Sequence, residues 1–453
     1  MSNSISKDLG DVIQSGMCIA CGACTLADES VKLELNERRQ IFEPTSKGSM
    51  MAASVCPSVE VDYDELCHFV FGQTAQGPLG IANSFHLAQS TNYERNFRAS
   101  SGGIIKETIG HLLQSGLVDG VISIDHTEGL EYSARLLTDP EMIDELPGSI
   151  YHNIDLSSVL EMLTHTNMRL GIVAIPCQLE GIYKYIQKIR PDLRSRIVFT
   201  IGLLCAWQYT RHSIAAMASY FRFDTDKINS VAYRGGGPIG KLRFELDDNR
   251  MIEIYRRASL RYQVGFDRYF NTPRCNVCVN HTNFLADMVV GDSWIESTRF
   301  SKTGISIMLC RTANATKIAR EMEACGRIKL KHVTDLEVVE SEGEHLVYGQ
   351  FAYPYADYLR EIGTNAPVLK GPNKGHGTPA TWPDISDFHS KLVKMNKLMQ
   401  SGKYRTILLR KLTHEGHRLT WRYMRWLIQR ILNVLKLSRK NRSIQHDDLS
   451  GFL

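Results

Sequence analysis

Short apolar runs alternate with stretches of helical spacing between about residue 80 and residue 365. Such runs occur at 118–124, 170–175, 197–204, 286–292 and 304–310. A short uninterrupted apolar run is typical of a strand buried on both faces, and helices between such strands cover those faces. The pattern therefore predicts an α/β core over residues 80–365.

Two different segments flank this core. Residues 1–75 are rich in cysteine, and the stretch FGQTAQGPLG, which begins at Phe71, is typical of a connector. A second Pro- and Gly-rich stretch covers 365–383. Beyond it, apolar residues recur at helical spacing, namely Met424, Leu427, Ile428, Ile431 and Leu435. We therefore expect three units: 1–75, 80–365, and a linker with a helical basic tail over 366–453.

The composition is that of a globular protein, because 43% of the 453 residues are hydrophobic and 23% are charged. The first residues lack the basic and apolar regions of a signal peptide, and no uncharged apolar run approaches the roughly 18 residues that span a bilayer. We therefore expect a cytoplasmic protein. Thiols stay reduced in that compartment, so the 11 cysteines favour metal binding or catalysis over disulfides.

The net charge of +4 is distributed unevenly. Residues 391–443 carry +14, so the rest of the chain carries −10. Such a tail could dock on an acidic protein partner or lie on an anionic membrane surface, with Trp421 and Trp426 at the interface. A helical pair packed on the core, with solvated arginines, is the other interpretation. Nucleic-acid binding is not expected, because nothing beyond charge supports it.

Three cysteines at intervals of three residues stand near the start of the chain, and a fourth precedes a proline: Cys18, Cys21, Cys24 and Cys56. A short loop with this spacing wraps one corner of a cubane, each thiolate binding a different iron. The spacing predicts a small ferredoxin-like 4Fe-4S domain. Zinc, the main alternative, usually takes its ligands as two separated pairs, and uncoordinated thiols are a third interpretation. Cys67 is the less favoured fourth ligand.

A second set of cysteines belongs to the core. Cys177 and Cys205 each follow an apolar run, so both are expected at the carboxyl ends of buried strands, where open α/β sheets place their sites. Cys275 and Cys278 form a Cys-x-x-Cys pair. Together the four are sufficient to ligate a second 4Fe-4S cluster. A zinc site, a metal-free redox pair, or a simple core role for Cys205 are the alternatives.

A glycine loop precedes a helical pattern at Ser100, Ser101, Gly102 and Gly103. Small residues at a helix N-terminus leave backbone amides free to bind phosphate, and the helix dipole helps. Alone, such a loop is equally typical of an ordinary helix start.

These motifs occur together and in a particular order: CIACGAC with CP, SSGG, IPCQLEGI, the cysteine of IGLLCAW, and RCNVCVNHTNFLADMVVGDSW. With them, the chain resembles the coenzyme F420 hydrogenase/dehydrogenase beta-subunit family over about residues 15–355; F420 is a deazaflavin. The resemblance implies a flavoprotein with one or more 4Fe-4S clusters. It also implies that FAD lies near Ser100–Gly103 and that Gly291 and Asp292 close the same region.

The resemblance implies an oxidoreductase that relays electrons between 4Fe-4S clusters and FAD and on to an organic acceptor. Coenzyme F420 or ferredoxin is the expected redox partner. The alternatives are a ferredoxin-dependent reductase of a small or sugar-linked substrate, and a non-catalytic electron-transfer subunit. His281, Tyr233 and His126 are candidate general acids only. The glycines at 235–237 are expected either to cover the substrate pocket or to form a plain hairpin turn.

Overall fold

The computed structural model describes residues 7–237, 240–255, 265–298, 301, 303–372 and 381–407. The strands that these ranges contain, in chain order, are β1 Leu33–Asn36, β2 Ile41–Pro44, β3 Glu60–Asp62, β4 Ser84–Ser90, β5 Gly120–Glu128, β6 Glu131–Leu137, β7 Leu170–Ala174, β8 Ile197–Leu203, β9 Ile228–Ala232, β10 Lys241–Leu246, β11 Met251–Tyr255, β12 Met288–Asp292, β13 Ser306–Cys310, β14 Ile328–His332 and β15 Val368–Lys370.

The α-helices of the described ranges are α1 Leu9–Ser15, α2 Ala23–Ala27, α3 Met50–Ser54, α4 Tyr63–Phe71, α5 Tyr93–Arg98, α6 Ile104–Gln114, α7 Ser157–His165, α8 Pro176–Lys188, α9 His212–Phe221, α10 Ala313–Ala324, α11 Asp335–Ser341, α12 Gly343–Glu361 and α13 Trp382–Gln400. None of these helices is long and apolar enough to cross a membrane.

An eight-stranded mixed sheet forms the centre, in the order β14-β4-β13-β12-β8-β7-β5-β6. Its middle strands β12, β8, β7 and β5 run parallel, whereas β13, β4, β14 and β6 add antiparallel pairs at the two sides. The five predicted apolar runs supply β5, β7, β8, β12 and β13, so the prediction of an α/β core is confirmed. The polar edge strands carried a weaker signal.

The order of the sheet brings distant parts of the sequence to one edge. Strands β7, β8 and β12 are neighbours and parallel, so their carboxyl ends meet on the same side. Cys177 follows β7, Cys205 follows β8, and β12 ends at Asp292. The prediction that both cysteines follow buried strands is therefore confirmed.

The cysteine-rich N-terminal segment shares one hydrophobic core with the rest of the chain. Leu9, Val55 and Leu66 belong to the same buried cluster as Leu179 of α8 and Ala352 of α12. Strand β3 also pairs in parallel with β15, near residue 370. Burial of this common apolar surface stabilises the packing of the N-terminal segment on the core. The limits of the three predicted units stay a prediction.

A separate three-stranded antiparallel sheet, in the order β11-β10-β9, packs beside the centre. Its hairpin between β9 and β10 contains the glycines at 235–237.

Part of the predicted basic tail is described. Helix α13 packs on the core, where the Phe388 ring lies 5.2 Å from the ring centroids of Phe351 and Tyr355. Met395 and Met399 are buried with Phe270. Over these residues the tail packs as a helix on the core. The predicted amphipathic pattern from Met424 onwards lies outside the described residues.

Candidate functional site

The first thiol group consists of Cys18, Cys21, Cys24 and Cys56. The first three lie in the loop before α2 and at its start, and Cys56 follows α3, which packs against α2. Each keeps only 6–8% of its surface exposed. Burial, followed by the nearby Cys56, raises the pKa of Cys21 to about 12. The thiols thus share one pocket, and a metal bound there would have to displace their protons.

Two unusual backbone conformations shape this loop. Ala20 has a φ of 55°, and its N–H donates to Cys18 Sγ at 3.3 Å. Gly22 has a φ of 77°, and a Cβ at that position would lie 2.2 Å from the Cα of Ser157, at the start of α7. The close crossing of two chain segments therefore requires glycine here.

Cys67 lies apart from the first thiol group. Its Sγ contacts the carbonyl oxygen of Phe284 at 3.8 Å, and its pKa is raised to about 12, first by burial. Arg311 opposes that rise. The arrangement is that of a buried core cysteine.

The second thiol group consists of Cys177, Cys205, Cys275 and Cys278. Cys275 lies in the short 3-10 helix Pro273–Val277, and Cys278 follows it. Desolvation first, and then Cys275 and Cys278, raise the pKa of Cys205. Cys177 is influenced by the other three thiols in the same way, after burial and Glu180. The fold therefore brings these four cysteines together from three separate segments of the sequence.

Polar groups surround the second thiol group. The Gln208 N–H and the Thr272 hydroxyl donate to Cys275 Sγ at 3.2 and 3.0 Å. Both side-chain amide atoms of Asn276, together with His281 Nε2, are buried without a hydrogen-bond partner in the described structure. Buried polar atoms are normally paired, so these atoms fit a site that accommodates a further polar group.

The described residues include no group of three or more Cys, His, Asp or Glu side chains arranged to hold one metal ion. A single ion such as zinc draws its ligands to within about 2.3 Å of one point. A cubane instead binds each thiolate through a different iron, so its ligands stand farther apart. The donor set, four cysteines in each thiol group with N–H or O–H donors directed at the sulfurs of Cys18 and Cys275, fits an iron-sulfur cluster.

Helix α8 lies between the two thiol groups. Cys177 stands in its first turn, and a Cβ at Gly181 would lie 2.6 Å from Cys21 Sγ. Four residues of helix rise by about 6 Å. One turn of α8 therefore separates a residue of the second group from the contact with the first.

The glycine loop packs closely on the central sheet. Gly102 N–H donates to Ser306 Oγ at 2.9 Å, and a Cβ there would lie 2.5 Å from the Ala88 carbonyl oxygen. Ser100 Oγ accepts from Ser149 N–H at 3.1 Å. Gly103, with a φ of 78°, caps α6 without a side-chain hydrogen bond. No side chain therefore caps the first backbone N–H groups of α6, and these groups can donate to a bound anion.

Gly291 and Asp292 connect the second thiol group to the glycine loop. A Cβ at Gly291 would lie 2.5 Å from Leu204, the neighbour of Cys205. On the other side, the Ser101 hydroxyl lies 3.5 Å from the Gly291 carbonyl oxygen. Asp292 accepts a hydrogen bond at 2.5 Å from Arg234, whose side chain is 8% exposed, so the two residues form an ion pair.

The glycine hairpin lies against the segment that leads into the glycine loop. Gly236 and Gly237 donate their N–H groups to the Phe97 carbonyl oxygen at 3.1 and 3.0 Å. Gly235, Gly236 and Gly237 all have positive φ. The hairpin is therefore both a turn between strands and a neighbour of the candidate flavin site. Trp294, two residues after Asp292, is 60% exposed.

The candidate general acids have internal partners. Tyr233 is buried and pairs with His152 Nδ1 at 2.5 Å, while His152 Nε2 faces the Leu130 carbonyl oxygen at 2.8 Å. His126 Nε2 faces the Gly129 carbonyl oxygen at 3.2 Å. His281 Nδ1 faces the Cys205 carbonyl oxygen at 2.8 Å, and its Nε2 has no hydrogen-bond partner among the described residues. Sequence reasoning missed His152, because a lone histidine outside a motif carries no signal.

Two family models match the chain, and both describe the beta subunit of coenzyme F420 hydrogenase/dehydrogenase. The model of the N-terminal part of that protein matches residues 85–161, and the model of its C-terminal part matches residues 167–336. Together they cover more than half of the chain. The chain therefore belongs to the coenzyme F420 hydrogenase/dehydrogenase beta-subunit family, and the resemblance found in the sequence is confirmed.

Curated relatives agree with this assignment. The F subunit of F(420)H(2) dehydrogenase from Methanosarcina mazei is 25% identical over 299 residues, which are 63% of this chain and 80% of the relative. The beta subunit of coenzyme F420 hydrogenase from Methanococcus voltae is 24% identical, over 57% of this chain and 88% of the relative. These relatives are named as subunits of oxidoreductases.

Two further comparisons differ in coverage. Coenzyme F420-dependent sulfite reductase of Methanocaldococcus jannaschii is 21% identical over 77% of this chain, and the chain spans about half (54%) of that protein's length. A chain of the F420-reducing NiFe hydrogenase complex from Methanosarcina barkeri is similar in structure, with a TM-score of 0.49 and 19% identity, over 67% of this chain and 100% of that one.

Proposed function

We propose that this protein is an iron-sulfur flavoprotein oxidoreductase. In this proposal the first and second thiol groups each hold a 4Fe-4S cluster. FAD binds beside Ser100–Gly103 and Gly291–Asp292, and coenzyme F420 is the organic redox partner. Three relatives support this choice of partner: a dehydrogenase subunit, a sulfite reductase and a hydrogenase subunit. The name of each contains F420.

One observation carries the proposal: the predicted residues form a continuous chain of contacts. Cys21 of the first thiol group touches Gly181 of α8, and α8 begins at the second thiol group with Cys177. Leu204, beside Cys205, touches Gly291. Gly291 in turn lies against Ser101 of the glycine loop. An electron relay requires such an ordered succession of neighbouring sites.

The residues of the chain have distinct tasks in this scheme. The eight thiols ligate iron, while Thr272 and Gln208 direct donors at Cys275 Sγ and so favour the negatively charged sulfur. The uncapped first amides of α6 bind a phosphate of the cofactor. Arg234 fixes Asp292 at the boundary between the two regions. A bound flavin would supply the exchange between single electrons and hydride.

Spectroscopic turnover with reduced coenzyme F420 tests the proposal. Anaerobically purified protein should oxidise the deazaflavin and pass the electrons to a one-electron dye. Cys177→Ala should still bind flavin but should transfer few electrons to the dye, whereas Cys67→Ala should behave as the unmodified protein. Turnover with reduced ferredoxin alone would favour a ferredoxin-dependent reductase. Bound flavin and iron without turnover would favour an electron-transfer subunit.

A further inference from the structure

Two buried, oppositely charged side chains lie at the junction of the two thiol groups. The side chains of Glu180, on α8, and Arg274, directly before Cys275, are 1% and 2% exposed. Their nearest charged atoms, Glu180 Oε2 and Arg274 Nη2, are 3.7 Å apart. Because buried charges are costly unless they are paired, the fold has a reason to keep these two together.

The hydrogen bonds of the pair are incomplete. Glu180 Oε1 accepts from the Tyr63 hydroxyl at 3.0 Å and from Asn280 Nδ2 at 2.9 Å. Arg274 Nη1 donates to the Val277 carbonyl oxygen at 3.0 Å. In the described structure, Glu180 Oε2 and the Arg274 atoms Nε and Nη2 have no hydrogen-bond partner. Hydrogen bonds to Glu180 Oε1 and from Arg274 Nη1 therefore hold the pair in place, while the remaining polar atoms of both side chains are free to interact with a bound charged group.

The charges of Glu180 and Arg274 act on cysteines of both thiol groups. Glu180 directly precedes Gly181, which packs on Cys21 of the first group. After burial, Glu180 is the largest influence that raises the pKa of Cys177, and it also raises the pKa of Cys21. Burial raises the pKa of Cys278, and Arg274 is the largest influence that opposes this rise. Arg274 also acts on Cys56, where burial raises the pKa and Lys184 opposes it more strongly.

We propose that Glu180 and Arg274 form a charge pair that sets the reduction potentials of both clusters. The inference rests on the proposed function. Reduction adds one electron, and thus one negative charge, to a cluster. The Glu180 carboxylate makes this addition less favourable, and the Arg274 guanidinium makes it more favourable, because a fixed charge acts strongly in a medium of low polarity.

An anaerobic redox titration with dithionite, followed by electron paramagnetic resonance, tests this inference. Glu180→Gln should raise the potentials, and Arg274→Met should lower them. At a fixed applied potential, the ratio of reduced to oxidised cluster should change about tenfold in opposite directions, which is about 59 mV for one electron. The double variant should return close to the unmodified protein, because the two charges are removed together.

Two controls separate a charge effect from a general effect of substitution. Glu107 is likewise buried, with 2% exposure, and pairs with Arg95 at 2.7 Å and Arg327 at 3.1 Å. Glu107→Gln removes a buried carboxylate away from the thiols, so it should leave both potentials unchanged. Glu180→Asp keeps the charge. At the same applied potential, its ratio of reduced to oxidised cluster should therefore differ less than threefold from that of the unmodified protein.

The outcomes distinguish this inference from the proposed function. Unmodified protein without clusters would contradict the proposed function itself. Unmodified protein with two clusters, and with the same potentials in Glu180→Gln and Arg274→Met, would overturn only the inference. Loss of iron from both single variants, with full iron in Glu180→Asp, would also overturn it, because the pair would then serve cluster assembly instead.

Discussion

The thiol region and the glycine-loop region differ in how far the chain satisfies its own polar groups. Around the second thiol group, Asn276, His281, Glu180 and Arg274 retain buried polar atoms without a hydrogen-bond partner in the described structure. In the glycine-loop region, Ser100, Ser101, Gly102 and Asp292 all have partners within the protein. Among the described residues, the thiol region thus leaves several buried side-chain atoms for a bound group, whereas the glycine-loop region leaves Asn96 Oδ1 and the first amides of α6, which have no side-chain cap.

The difference separates two kinds of evidence. A cluster in the thiol region is supported by the arrangement of the side chains themselves. FAD in the glycine-loop region is supported by family membership and by the uncapped start of α6, because Gly102 and Gly291 already have a packing reason to be glycine. Substitutions in the first region should therefore change metal content, and substitutions in the second should change stability.

The largest expected effect is loss of iron. Cys21→Ala and Cys177→Ala should each remove about half of the iron, because each breaks one four-cysteine set. The double variant should retain almost none. Iron analysis of anaerobically purified protein measures this, with Cys67→Ala as the control that keeps full iron. Loss of all iron from either single variant would mean one cluster, or coupled folding of the two sites.

Gly181→Ala should act on the first thiol group alone. Its Cβ would lie 2.6 Å from Cys21 Sγ, so the sulfur must shift, and up to half of the iron should be lost. Gly110→Ala is the matched control in another helix, where the nearest contact is a side-chain methyl of Ile143 at 3.1 Å. Unchanged iron in Gly181→Ala would contradict the contact between α8 and the first thiol group.

Gly102→Ala should show the opposite behaviour. Its Cβ would meet the backbone atoms Ala88 O at 2.5 Å and Ser306 N at 2.8 Å, neither of which can rotate away. We expect the free energy of unfolding to fall by about 3 kcal/mol, with iron retained. Chemical denaturation and iron analysis on the same sample measure both quantities. Iron loss equal to that of Gly181→Ala would erase the distinction between the two regions.

The smallest effect concerns pH. Burial lowers the pKa of His152 from 6.5 to about 4. The neutral imidazole is therefore favoured by the fold, so its stabilising contribution is complete above pH 6.5 and is lost as the pH falls toward 4. By pH 5 the free energy of unfolding has fallen by about 2 kcal/mol through this group. His152→Gln, which has no titrating group, should unfold with a flatter dependence on pH over this range, and an identical dependence would contradict the assignment.

Much of the scaffold could be predicted from the sequence. Uninterrupted apolar runs gave the strands of the sheet centre, and those strands place Cys177 and Cys205 at one edge. The spacing of Cys18, Cys21 and Cys24 is a local signal, and the loop that they form gathers the expected thiols.

Other features depend on tertiary contacts that no local pattern encodes. Gly181 and Gly22 are glycines because distant segments approach them, namely Cys21 and Ser157. The pairing of Glu180 with Arg274 joins residues nearly a hundred positions apart. Both flank cysteines of the second set, which is the one sequence signal that could have drawn attention to them. The antiparallel edge strands were missed because their polar residues interrupt the apolar pattern.

The most direct test of the account is quantification of iron, sulfide, zinc and flavin on one anaerobically purified sample. Two clusters and one flavin predict about eight irons, about eight sulfides and about one FAD per chain, without zinc. Zinc without iron or flavin would contradict the account and leave a structural metal protein in its place.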